Sequence, residues 1–63
     1  MTFIELHYHG NPILIVVNRI SALGCDSSDT FIWLNGDPVC LYVDESYNEI
    51  KNKLQEVGFI WNV

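Results

Sequence analysis

Apolar residues recur along this chain at two spacings, first every second position and later every third or fourth. The first spacing belongs to half-buried strands, in which successive side chains point to opposite faces. Residues 2–8 read as such a strand, with Ile4, Leu6 and Tyr8 on the core side and Phe3, Glu5 and His7 facing away. His9-Gly10-Asn11-Pro12 then carries turn chemistry: Gly and Asn tolerate positive φ, and Pro fixes its own. Residues 12–17 form a second strand. Ile13 to Val17 is apolar on both faces, the pattern of a central strand or of one in a small closed sheet. The two runs predict a first hairpin.

Residues 20–25 read as a short third strand that bends at Gly24, followed by a polar loop, Asp26-Ser27-Ser28-Asp29. Residues 30–34 are aromatic and β-branched, as strands prefer. Asn35-Gly36 follows, a strong signal for a hairpin with a type I′ turn, whose two central residues both need positive φ. Asp37-Pro38 can lengthen this loop to four residues, and Pro38, lacking an N–H, suits a strand start or an edge. Residues 38–43 are the return strand. Either loop length gives the same parity: Thr30, Ile32, Leu34, Val39, Leu41 and Val43 share one face, and Phe31, Trp33, Cys40 and Tyr42 share the other. Both faces are apolar. One helix covers only one face, so the second calls for the chain's own tail, closure into a barrel, or another molecule.

The spacing changes after residue 43 and predicts a helix over 46–57. Ser46 and Glu49 fit a capping box, and Asp44 and Glu45 sit at the positive end of the helix dipole. Tyr47, Ile50, Leu54 and Val57 make one apolar stripe, Lys51 and Lys53 lie off it, and Gly58 is a C-terminal stop. The tail, residues 59–63, is apolar at Phe59, Ile60, Trp61 and Val63, so it is expected to pack on the sheet, add a strand, or dock on a neighbouring subunit. The fold class is therefore mainly β (α+β): one domain over 1–63, with a small antiparallel sheet of four to five strands, open or partly closed into a barrel, and one C-terminal helix. Strand order stays open, because a slip at Ile20 to Cys25 changes the topology.

Composition sharpens the surplus. A chain of 63 residues buries only about 60% of its unfolded surface, yet 49% of these residues are hydrophobic and 13% aromatic. That excess suggests apolar surface reserved for self-association or a partner. The net charge is −5, with Arg19, Lys51 and Lys53 the only lysine or arginine cations. Nucleic-acid binding, which needs cations to displace phosphate counterions, is not expected. The longest apolar run, Ile13 to Val17, is far short of the roughly 20 residues a membrane helix needs, so no membrane insertion is expected. No targeting signal is visible at the N-terminus, which makes the cytoplasm the default location. Cys25 and Cys40 then read as small apolar side chains rather than a disulfide.

Candidate chemistry is sparse. His7 and His9 share a strand face, and with Cys25 or Cys40 they could form a mixed-ligand zinc site, though no Cys-x-x-Cys spacing supports one. This metal-binding module is the alternative reading. Cys-His and Ser-His-Asp sets exist in composition but no motif assembles them, and the chain leaves little room for a shielded pocket. Asp26 and Asp29 read as loop solvation, without the spacing of a calcium loop, and there is no phosphate-cradling Gly-rich loop. The chain reads as a non-enzyme without a cofactor. Ligand binding between sheet and helix is a weaker third option. Phe31, Trp33 and Tyr42, with Phe59 and Trp61 in the tail, are the candidate partner or oligomer interface, because Trp and Tyr bury large areas at small entropic cost. The competing role for the same residues is a second core.

Thr30-Phe31-Ile32-Trp33-Leu34-Asn35-Gly36, a short return strand ending Tyr42-Val43, and Glu45-Ser46 opening a helix with Glu49-Ile50 together resemble the small flagellar and swarming-motility (FlbD-like) protein family. The likeness is specific around Leu34-Asn35-Gly36 and Val43-Asp44-Glu45-Ser46 and holds in outline elsewhere; the aromatic tail departs from it. The resemblance implies a non-enzymatic cytoplasmic accessory protein and supplies no catalytic residues.

Overall fold

The computed structural model describes residues 2–58. In chain order they form β1 (Phe3–Tyr8), β2 (Asn11–Val16), a 3-10 turn (Val17–Arg19), β3 (Ile20–Asp26), β4 (Asp29–Leu34), β5 (Leu41–Val43) and α1 (Tyr47–Glu56). The protein is mainly β with one helix. β1 and β2 pair as one antiparallel sheet, and β3-β4-β5 form a second, so the strands do not close into a barrel.

The first hairpin follows its turn chemistry with one change of position. Tyr8 faces Asn11 across the ladder, which leaves His9 and Gly10 as the two-residue loop. Both have positive φ, +50° and +82°, as a type I′ turn requires. Asn35-Gly36 does not form that turn. Gly36 has φ +89° but Asn35 is not left-handed, and Asp37 N–H donates to Leu34 O at 3.1 Å. That is the pattern of a type II turn, which leads into a six-residue connection rather than a tight hairpin. The return strand is accordingly shorter than its hydrophobic pattern, Leu41–Val43 instead of 38–43. Val39, expected to share a strand face with Ile32 and Val43, lies outside the strand and is exposed.

The core lies between the inner faces of the two sheets and the helix. Leu6, Ile32, Ile50 and Leu54 are fully buried, joined by Ile4, Ile15, Val17 and Val43. Burying a side chain of this size contributes about 1.5–3 kcal/mol. The inner row of β1 is thus as its alternation predicts at Ile4 and Leu6, whereas Tyr8, at the strand end, stands exposed beside His9. β2 is an edge strand, not a central one, and Leu14 on its outer side is exposed.

The helix begins as its sequence dictates. Ser46 Oγ accepts from Glu49 N–H at 3.2 Å, and Ser46 N–H donates to Glu49 Oε1 at 3.0 Å, so two first-turn donors are satisfied reciprocally. Ile50 and Leu54 carry the buried stripe, with Tyr47 half-buried before them. Gly58, at φ +84°, follows the last turn and donates its N–H to Gln55 O.

Candidate functional site

The register of β3, β4 and β5 decides what the outer face of the three-stranded sheet carries. Phe31 lies between Gly24 on β3 and Tyr42 on β5, and Trp33 lies opposite Ala22. Parity therefore puts Phe31, Trp33 and Tyr42 on one face, while Ile32, Val43 and Thr30 point into the core. The Phe31 and Tyr42 rings meet at 5.9 Å between centroids with a 60° tilt, a geometry favoured by aromatic quadrupoles. The Phe31 ring also leans across Gly24: a Cβ there would lie 2.8 Å from its Cε1 and Cζ. Gly24 thus has a steric reason to lack a side chain.

These rings are not withdrawn from water. Trp33 is 38% exposed and Tyr42 52% exposed, with Phe31 half-buried between them. Of the candidate interface residues, these three come together on one surface; Phe59 and Trp61 lie outside the described residues. Cys40 is near Tyr42. The neighbouring Cys40, then desolvation, then the Asp29 and Asp26 carboxylates push the Tyr42 hydroxyl above its ordinary pKa.

Those two aspartates are the residues a loop reading missed. Asp26 pairs directly with Asp29 at the end of the β3–β4 hairpin, and Ser27-Ser28 form the loop. Asp29 lies two residues before Phe31 and Asp26 two after Gly24, so both stand on the aromatic face. The signal was in the parity of the sequence, hidden because a run of polar residues looks like a loop from end to end.

His7 and His9 take separate partners. His7 N–H donates to Glu45 Oε1 at 2.8 Å, and its ring Nδ1 lies 2.5 Å from Glu45 Oε2. The hydrogen bond to Glu45 raises the His7 pKa against desolvation, helped by the charges of Glu45, Glu5 and Asp44. For Glu45, partial burial pushes upward, but the hydrogen bonds from the His7 ring and N–H outweigh it and hold the carboxyl below its ordinary value. Asp44 accepts from His9 N–H at 3.2 Å and Gly10 N–H at 2.7 Å, and donates its own N–H to His7 O at 2.8 Å. Asp44 and Glu45 therefore tie the first hairpin to the entry of the helix. His9 sits in the turn with its ring edge-on to Tyr8, Cys25 is exposed near the end of β3, and Cys40 is half-buried just before β5. Among the described residues no three His, Cys, Asp or Glu side chains are grouped to hold a metal ion.

No family model, curated protein or solved structure matches the chain. Two open depressions flank the helix start, one of about 370 Å³ between the β3–β4 loop and residues 43–49, the other of about 280 Å³ around His7, Gly10 and Glu49. Both are open to solvent, and carboxylates line each of them. Between sheet and helix the space is filled by Leu6, Ile32, Ile50 and Leu54. No described helix is long and apolar enough to cross a membrane.

Proposed function

We propose that this chain is a non-enzymatic, cytoplasmic interaction protein that contacts another protein molecule through the outer face of β3-β4-β5. One observation carries the reading: Phe31, Trp33 and Tyr42 share one sheet face, with Phe31 and Tyr42 in ring contact, and that face stays open to solvent although the core beneath is closed. Leaving a Trp and a Tyr in water forgoes burial that a chain this small can ill spare. Residues of these types are the ones that dominate binding energy at interfaces. The resemblance to the FlbD-like family, carried by Leu34-Asn35-Gly36 and Val43-Asp44-Glu45-Ser46, supports an accessory rather than a catalytic role.

A random peptide-display selection against the intact chain tests this, with Trp33→Thr/Tyr42→Thr as the counter-target. Threonine keeps strand preference while removing the rings. The expected outcome is enrichment of binders that lose the double variant. Binders that hold both proteins equally, or none above background, would contradict the reading.

A further inference from the structure

The outer face has three properties that together specify what should lie on it. The first is a free edge. β3 is the end of its sheet, with no described strand hydrogen-bonded to its far side. Its sequence, Ile20-Ser21-Ala22-Leu23-Gly24-Cys25-Asp26, has no lysine or proline and only one charge, at its end. Edges closed to pairing are usually marked by such residues. The second is a shallow lane. On the outer face β3 contributes Ala22 and Gly24 ahead of Asp26 at its end, so a side chain arriving from beyond the edge meets the Phe31 ring, which leans across Gly24, and Trp33 opposite Ala22.

The third is charge. Asp26 and Asp29 stand opposite each other at the end of that lane, and like charges in directly opposed pairs destabilise a ladder. No lysine or arginine offsets them. Arg19 donates to Asn35 O at 2.7 Å, Lys51 and Lys53 are on the helix, and among the described residues none of the three forms an ion pair with a carboxylate. The upward push of both aspartates on Tyr42 reflects the same local negative field.

Resting on the interaction reading above, we infer that the occupant of this face is an extended, arginine- or lysine-bearing segment of another protein, added as a strand along β3. Its backbone completes the β3 ladder, as in strand-addition recognition generally. Its outward side chains cross Ala22 and Gly24. The cations lie over the Phe31 and Trp33 rings, where the aromatic quadrupole attracts them, and meet Asp26 and Asp29. A second copy of this chain is a poor occupant, because it would bring a net −5 against a net −5 and offers few cations to place between them.

The test uses the intact protein and two synthetic strands long enough to span β3, one alternating arginine with valine and one alternating glutamate with valine. Calorimetry should give the arginine peptide at least roughly tenfold the affinity of the glutamate peptide. That affinity should weaken as salt rises, fall at least severalfold on Asp26→Asn/Asp29→Asn, and fall likewise on Trp33→Thr/Tyr42→Thr, which leaves the charge unchanged. Amide exchange should slow along Ile20–Asp26. Equal binding of the two peptides, with both lost on the ring variant, would overturn the charge assignment and leave the face as a binding surface. Arginine-peptide binding indifferent to the rings, or protection away from β3, would overturn this inference and count against the reading beneath it. Concentration-dependent dimerisation abolished by Trp33→Thr would make a second copy the occupant and overturn the inference alone.

Discussion

At the scale of single residues, His7 and Glu45 do the most to join parts of the chain distant in sequence. Their pair links β1 to the residue before the helix cap, with Glu5 and Asp44 as the other charges facing the imidazole. The two shifts have opposite senses and act over different pH ranges. The folded state raises His7 from 6.5, so its contribution is complete below that value and is lost as pH rises through the folded one. The folded state lowers Glu45 from 4.5, so its contribution is present above that value and is lost as pH falls through the folded one. Both are in force in the mildly acidic interval between. The melting temperature should therefore fall as pH is raised from that interval into the alkaline range, and His7→Gln should flatten the fall. A His7→Gln protein whose melting temperature falls with rising pH as steeply as the parent's would remove this pair from the explanation. The sequence separates His7, on a strand, from His9, in a turn, but it does not show the His7–Glu45 pair, a contact across 38 positions.

At the scale of elements, local chemistry predicted more. The capping box at Ser46-Glu49 was readable because it depends on four consecutive residues alone. Ser46→Ala should cost about 1 kcal/mol, a drop in melting temperature of roughly 4–8 °C for a domain this small. An unchanged melting temperature would mean the helix start is held by packing instead. The turns were harder. His9-Gly10 takes the type I′ geometry and Asn35-Gly36 does not, although Asn-Gly is the better local candidate. At Asn35 the local preference yields to surrounding contacts: Asn35 N–H donates to Arg19 O and Asn35 O accepts from Arg19 Nη2, both at 2.7 Å. Gly24 makes a further prediction at this scale. Gly24→Ala should keep the fold but swing the Phe31 ring away from β3, because the new methyl occupies the ring's position. Proton chemical shifts of the Phe31 and Tyr42 rings should change while core methyl signals stay in place. Ring shifts that do not move would mean the ring does not rest on Gly24.

At the scale of the whole molecule, the chain has more apolar surface than one small core absorbs. Alternation in β4 and the return strand made both sheet faces visible in the sequence, and the helix stripe made clear that only one could be covered by it. Which face lies inward follows from three-dimensional packing: Ile32 and Val43 meet Ile50, Leu54 and Leu6, and Phe31, Trp33 and Tyr42 are left outside. Division into two sheets was not legible, because Ile13 to Val17 looks central by composition whereas β2 pairs with β1 alone among the described strands. The acidic end of the aromatic face was not legible either, since Asp26 and Asp29 acquire a common side only once the hairpin register is fixed.

The central claim is that the aromatic row serves binding and not the stability of this chain. Equilibrium urea denaturation of the parent and of Trp33→Thr/Tyr42→Thr tests it most directly. Rings that serve a surface should be removable for about 1 kcal/mol or less in total, with far-ultraviolet circular dichroism unchanged. A loss of about 3 kcal/mol or more, the usual cost of deleting a buried aromatic, would place the rings in a second core and contradict the account.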